Sequence, residues 1–350
     1  MAHLTDNFTS EGPLSPAVRS SIAAAFDEGW ADPKKRSQAA GRAALLQAAA
    51  KEEIAELLGT RPDRLEIIGE PALLHLLTIN GFMKPGRRLH STHTAVGKAR
   101  AVFRSHPAAA LHPVDSAGIS SLSPQSLGAE DIFYLQAVNG ETGVVTELDP
   151  WRDTSATVLV DATKSLPEIG LCNGFAATVF DATSWSGPAG VGLININDAG
   201  DFTYPLPHIS PIRVPGSYSL PLLIGAAVAL SENHDLAKKY LELRNALVTA
   251  LSPIDGVDVV AGSQFQSRYL SIVIKSFAAE EVLTELLKDE CAIDAGSACS
   301  PEDLAPSHVI AAMGYPTEGH LRFTIHPNHS LDDLTRVAEK LKKVLKQLGS

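Results

Sequence analysis

Apolar and polar positions along the chain alternate with two periods. From Ser37 to Leu58, apolar residues recur at three- and four-residue steps. Ala39, Ala43, Leu46, Ala50, Ile54 and Leu57 form one stripe, which predicts a long helix that Gly59 closes. A shorter helix is predicted at about 16–28, ended by the Trp30-Ala31-Asp32-Pro33 break. Short apolar runs follow, separated by helical or turn segments. Leu65–Ile68, Ala109–His112, Asp131–Leu135, Thr157–Val160, Ala177–Phe180 and Val191–Ile196 read as strands. Such an alternation predicts an α/β fold, a mostly parallel sheet with helices on both faces, followed by a helix over Leu220–Asn233.

The C-terminal third changes character. It reads as helix 235–251, strands 257–261 and 268–275, helix 279–289, strand 319–326 and helix 331–348, a smaller α+β domain. In the last helix Asp332 and Asp333 open the first turn, and Lys340, Lys342, Lys343 and Lys346 lie towards the end. Both placements suit the helix dipole. The expected organisation is a large domain over 16–234 and a small one made of 1–15 and 235–350.

Composition narrows the function. An apolar fraction of 45% and a charged fraction of 20% support a sizeable core. Acidic residues outnumber basic ones 40 to 29 and no long basic run occurs, which argues against nucleic acid and anionic membrane as partners. The three cysteines, Cys172, Cys291 and Cys299, lack CxxC spacing, which argues against a disulfide framework or a zinc site. No apolar run of bilayer-spanning length and no secretory pattern at residues 1–13 are visible, so a soluble cytoplasmic protein is expected.

Eight short strings carry a further signal. They are the segment His3–Ser10; Gly41-Arg42 with Glu56-Leu57-Leu58-Gly59; His93-Thr94-Ala95-Val96; Val138-Asn139-Gly140-Glu141-Thr142-Gly143; Val160-Asp161-Ala162; Gly187-Pro188-Ala189-Gly190-Val191-Gly192; Gly296-Ser297-Ala298-Cys299-Ser300; and Leu321-Arg322-Phe323-Thr324. In this order and spacing they resemble the class V aminotransferases, and in particular the cysteine desulfurases. The resemblance implies the fold-type I architecture of PLP transferases, with a seven-stranded-type sheet in the large domain, pyridoxal 5′-phosphate (PLP) as cofactor, L-cysteine as substrate and a homodimer.

The resemblance also implies roles. His93 would stack on the pyridine ring and move protons. Asp161 would pair with the ring nitrogen and keep the ring an electron sink. Asn139 would reach the ring O3′ or the substrate, although an Asn-Gly pair is also an ordinary turn. Arg322 would clamp the substrate carboxylate. Cys299, in a small polar segment, would take sulfur as a persulfide. Ser217 would reach the phosphate of the neighbouring subunit.

The pattern breaks where the family carries its cofactor lysine. Counting back from Gly187-Pro188, Ser184 takes that position, and a hydroxyl forms no imine. Asp181 and Thr183 replace the family's phosphate-binding serine and histidine, and Gly69-Glu70-Pro71 replaces its Gly-Ala-Thr. Carboxylates beside a phosphate dianion cost several kcal/mol at an effective dielectric of ~20. The family's O3′-contacting glutamine is here Lys164, which reaches the aldehyde, faces solvent at a helix start or pairs with Asp161. Three readings follow. The first is a PLP-dependent cysteine desulfurase with atypical or lost cofactor anchoring, its site built from His93, Asn139, Asp161, Lys164, Thr183, Ser184, Ser217, Cys299 and Arg322. The second is a catalytically retired homologue acting as a sulfur relay in iron–sulfur or sulfur metabolism, handing sulfur to an acceptor protein. The third is another class V aminotransferase or lyase.

Overall fold

The computed structural model describes residues 6–28, 31–167, 170–208, 214, 218–261, 267–295 and 306–349. Cys299 and Ser217 lie outside the described residues. In chain order the elements are β1 (Asp6–Phe8), α1 (Pro16–Glu28), α2 (Gln38–Leu57), β2 (Leu65–Ile68), α3 (Leu74–Phe82), β3 (Arg88–Thr92), α4 (Gly97–Arg104), β4 (Ala109–His112), β5 (Asp131–Gln136), β6 (Thr157–Asp161), β7 (Ala177–Asp181) and β8 (Gly192–Ile196). There follow α5 (Leu220–Asn233), α6 (Ala237–Leu251), β9 (Val257–Val259), β10 (Tyr269–Ile274), α7 (Ala279–Lys288), β11 (Cys291–Ala295), α8 (His308–Ala312), β12 (His320–Thr324) and α9 (Leu331–Leu348).

Seven strands form the first sheet, in the order β2-β8-β7-β6-β5-β3-β4. From β4 to β7 the pairings are parallel, and β8 and β2 join antiparallel. One face, with Phe133, Leu135, Val158, Val160 and Phe180, belongs to one apolar cluster with residues of α1, α2 and α5. The other, with Tyr134, Leu159 and Val179, packs on α3 and α4. Helix α2 starts as its sequence suggests: Ser37 caps it by accepting from the Ala40 N–H at 3.1 Å.

Three strands escaped the hydrophobic pattern. β3 carries only one fully apolar residue, Leu89, between Arg88 and His90, and it is defined by its parallel partners on both sides. β11 follows directly on the turn after α7, and β1 is only three residues long. Two crossovers carry no α-helix. The β4–β5 and β5–β6 connections hold only 3-10 turns, at Pro124–Ser126 and Asp149–Trp151.

Five strands form the second sheet, in the order β1-β11-β12-β10-β9. α6, α7 and α9 cover one side of it around Leu247, Val282, Phe323 and Leu341. Strand β1 pairs parallel with β11, so a segment from near the start of the chain completes a sheet otherwise built from residues beyond 256.

Asp6 fastens that strand. Its carboxylate is fully buried and accepts from Arg336 Nη2 at 2.6 Å and from Lys340 Nζ at 2.6 Å. Burial pushes the Asp6 pKa up, but the hydrogen bonds from Arg336 and Lys340 outweigh it and hold the carboxyl below its ordinary value. Stability from such a group is present above the ordinary carboxylate pKa and is lost as pH falls through the depressed folded value. Asp6→Asn is therefore expected to lower unfolding stability at neutral pH by about 2–3 kcal/mol. In urea titrations run at successive pH values, the gap from wild type closes in acid. A gap that persists unchanged at acid pH contradicts this account.

Candidate functional site

The carboxyl ends of the parallel strands converge on one edge of the large sheet. α/β proteins place their sites there because strand ends leave backbone groups and short polar side chains facing a crevice. Four neighbouring strands supply the candidates. His93 follows β3, Asn139 follows β5, Asp161 ends β6 with Lys164 three residues on, and Thr183 and Ser184 follow β7.

Asp161 is 1% exposed. Its Oδ1 accepts from the Thr163 N–H at 3.0 Å and the Thr163 hydroxyl at 2.6 Å. Its Oδ2 has no hydrogen-bond partner among the described residues. The nearest cationic candidate is His75 Nδ1, at 3.9 Å, and that nitrogen already lies 2.6 Å from the Tyr134 hydroxyl. Burial lowers the His75 pKa, only partly offset by Asp161, so its imidazole is neutral at pH 7. A buried carboxylate oxygen without a donor is costly unless a ligand supplies one.

Asn139 serves its own turn. Its Nδ2 donates to Thr94 O and Gln136 Oε1, and its Oδ1 accepts from the N–H groups of Glu141 and Thr142 and from the Thr142 hydroxyl. The whole amide is engaged in holding the 139–143 turn. Gly143 in that turn is compelled by close approach. Its φ is +75°, and a Cβ there would lie 2.1 Å from Tyr269 O at the start of β10.

Gly140 is explained by Lys164. A Cβ at residue 140 would lie 2.7 Å from Lys164 Cγ, so a side chain at 140 and the lysine stem exclude one another. Glycine at 140 and lysine at 164 thus form one packing arrangement. Lys164 is half-buried, and its ammonium makes no hydrogen bond or ion pair among the described residues.

Ser184 sits in a 3-10 turn, Ala182–Trp185, that is fixed from several sides. Asp181 caps it by accepting from the Thr183 N–H at 3.0 Å and hydroxyl at 2.8 Å. Trp185 Nε1 donates to Ala226 O, and Ser186 turns the chain back at φ 62°. Arg268, only 3% exposed, donates to the carbonyls of Ser184 at 3.1 Å and Thr183 at 3.4 Å. The Ser184 hydroxyl is buried with no partner among the described residues.

Arg322 reaches the region from β12. Its Nη2 donates to Asp294 Oδ2 at 2.7 Å, so a carboxylate of the chain itself already sits on this guanidinium. The Arg322 charge is also felt at Glu141, whose carboxyl burial nonetheless pushes up, while Ser307 donates to it at 2.6 Å. His93 is half-buried, with its N–H on His112 O and its carbonyl accepting from Arg100. Cys172 and Cys291 are buried, and burial raises both thiols to about 12, as unreactive core cysteines.

Sequence reasoning missed His75, Tyr134 and Arg268. No local pattern marks them, since each gains its role from residues far along the chain. A polar residue inside the apolar α3 run, Leu74-His75-Leu76-Leu77, was the one available hint.

Comparison with known proteins places this geometry. Curated relatives include the cysteine desulfurase of a Frankia strain, 26% identical over 396 aligned positions covering 100% of this chain and 92% of that protein. Another is the cysteine desulfurase of a Nostoc strain, 25% identical over 99% of this chain and 93% of that one. The curated relatives of this chain are cysteine desulfurases, proteins of the class V aminotransferase family. No family model matches it. Among solved structures, a NifS-like protein of Rickettsia africae superposes with a TM-score of 0.83 at 16% identity, covering 97% of this chain and 99% of that one. A structure described as SspA in complex with cysteine superposes at 0.77 with 18% identity, over 93% and 100%. At these identities the structures establish the fold, that of the NifS-like proteins.

Cysteine desulfurases are PLP enzymes. The ring end of the site fits that group, because Asp161 Oδ2 is a buried acceptor awaiting the N–H of a protonated pyridine. The other end is rebuilt. Glu70 Oε1 accepts from the Ala72 N–H, Pro71 has no N–H, and Asp181 takes both donors of Thr183. Donors that a phosphate would use are held by carboxylates of the chain.

The Gly140–Lys164 exclusion is directly testable. Gly140 has no positive φ, so alanine there brings no backbone strain. Gly140→Ala is expected to destabilise the protein by about 1–2 kcal/mol through overpacking. In a Lys164→Ala background the same change is expected to cost less than about half as much, read from a double-mutant cycle in urea. Equal costs in the two backgrounds contradict the packing account.

Proposed function

We propose that this protein is a PLP-binding cysteine desulfurase-like sulfur-transfer protein whose cofactor rests on Asp161 and Lys164 and not on residue 184. The observation that carries the reading is the buried, unpartnered Asp161 Oδ2. Bound there, the cofactor supplies an electron sink for bond breaking at an amino-bearing carbon. Asp161 holds the ring nitrogen protonated. Lys164 offers the amine that Ser184 lacks, and Gly140 keeps its path clear. His93 covers the ring face and moves protons. Thr183, Ser184 and the partner subunit's Ser217 line the remaining rim, and Asn139 shapes the turn beside it. Arg322 receives the carboxylate of L-cysteine only by exchanging it for Asp294. Cys299 takes the sulfur as a persulfide and passes it to an acceptor protein.

Titration of the purified protein with PLP, followed by visible absorbance, tests the assignment. The expected result is a saturable band, trapped by borohydride as a mass adduct on Lys164 and absent in Lys164→Ala. Asp161→Asn is expected to weaken uptake by about ten- to a hundredfold, the worth of a charge-assisted hydrogen bond. Alanine release from cysteine is expected to vanish in Cys299→Ala.

A second reading rests on Glu70 and Asp181, whose carboxylates occupy the donors at the phosphate end. It makes the protein a sulfur relay that works without the cofactor. A colourless protein with no PLP uptake, but with persulfide on Cys299 when a separate donor is supplied, overturns the first reading in favour of this one.

A further inference from the structure

Both crossovers that flank β5 run without an α-helix. Residues 113–130 lead from β4 to β5, and residues 137–156 lead from β5 to β6. Parallel strands ordinarily cover their sheet with the helix of the crossover. Here loops cover Phe133 and Leu135 of β5, and a cavity of about 500 Å³ remains between the loops and the sheet.

The cavity is apolar at its base. Phe133, Leu135, Val144, Trp151 and Met313 line it, and Trp151 packs on Phe133 with ring centroids 4.2 Å apart. Its walls are fixed by hydrogen bonds. Asp115 Oδ1 accepts from the N–H groups of Ala117 and Ile119 at 2.9 Å each. Gly118, at φ +79°, lets that turn close on Val144 and Met313; a Cβ there would lie 3.1 and 3.3 Å from them. On the opposite side, Thr146 donates through its N–H to Ala137 O and through its hydroxyl to Gln136 O. A cavity with walls tied in this way is preformed. Ile119 stands beside it 53% exposed, an apolar side chain that a ligand would cover.

The polar lining sets the chemistry. Among the described residues no lysine, arginine or histidine lines the cavity, and Glu147 is the one ionisable group. Gln136 uses its Oε1 to accept from Asn139, and its Nε2 has no hydrogen-bond partner among the described residues. An anion would meet Glu147 and no compensating charge. An acceptor atom would meet the free amide N–H groups of Gln136. The volume lies within the range of small-molecule sites, about 300–1,000 Å³.

We propose that this cavity binds an uncharged, largely apolar small molecule carrying one hydrogen-bond acceptor. The cavity adjoins the Asp161 crevice without including Asp161, and the assignment does not depend on the cofactor. The two regions share one element, since Asn139 and Thr94 line the cavity while Asn139 Nδ2 holds the Thr94 carbonyl next to His93.

The test uses the neutral fluorophore N-phenyl-1-naphthylamine with the full chain. The expected result is a saturable, one-to-one rise in emission with energy transfer from Trp151. Val144→Trp fills the cavity and is expected to cut affinity by about tenfold or more. Ile119→Asp, at an exposed position where folding is not at stake, is expected to weaken binding several-fold. Leu45→Asp alters an apolar residue on α2 that is 73% exposed and does not line the cavity, and it is expected to change nothing. Non-saturable emission overturns the proposal, as does binding that Ile119→Asp leaves unchanged or that Leu45→Asp reduces equally. Equal affinity for the sulfonated analogue, 1-anilinonaphthalene-8-sulfonate, overturns the assigned ligand class.

Discussion

Arg268 carries its charge into a place where the described partners are two carbonyl oxygens and one imidazole. It joins the start of β10 to the turn after β7, across 84 residues of sequence at Ser184 O. Its Nη2 also meets His326 Nδ1 at 3.2 Å. That contact requires a neutral imidazole, and burial, followed by the Arg268 charge, lowers His326 to about 4. With Nδ1 accepting, Nε2 carries the proton and donates to Thr9 O at 2.9 Å. One buried guanidinium thus fixes a tautomer, an N-terminal segment and the turn that bears Ser184. Arg244, also fully buried, repeats the device from α6 through the carbonyls of Tyr269, Thr142 and Ala261. Together they set the 139–143 and 182–187 turns rigidly over the strand ends, and everything in the crevice takes its position from those turns.

Within that frame the site divides into two halves with different chemistry. At the ring end, acceptor capacity is left over at Asp161, and the neutral His75–Tyr134 pair beside it leaves the carboxylate's charge uncompensated. At the far end, Glu70 and Asp181 take the N–H groups that open the two 3-10 turns, and the Ser184 hydroxyl is left without a partner among the described residues. The exchange of Gly140 and Lys164 is a third, separate change, and it is steric. A lysine stem passes where a side chain at 140 would stand, so the substitution required its partner.

Much of the scaffold was legible in the sequence because the signals are local. The α2 stripe, the dipole-matched charges of α9 from Asp332 to Lys346 and the turn chemistry of Asn139-Gly140 each depend on residues within a few positions. The strand-end positions of Asp161 and Ser184 followed from short strings in a fixed order. Strand β3 was not legible, since Arg88-Leu89-His90-Ser91-Thr92 has little apolar content and is a strand by virtue of its two neighbours. The loss of the crossover helices, and with it the cavity over β5, likewise has no period or motif to announce it.

By itself, then, the sequence determined the order of most elements and which residues stand at the strand ends, since backbone propensity and turn chemistry act over a few residues. Only the tertiary structure decided which of those residues have capacity left for a ligand. The Asn139 amide is taken by Thr94, Gln136 and its own turn, and Arg322 Nη2 is on Asp294, whereas Asp161 retains a free oxygen. A side chain's hydrogen-bonding capacity is fixed by its type, but whether that capacity is spent depends on neighbours brought together by the fold.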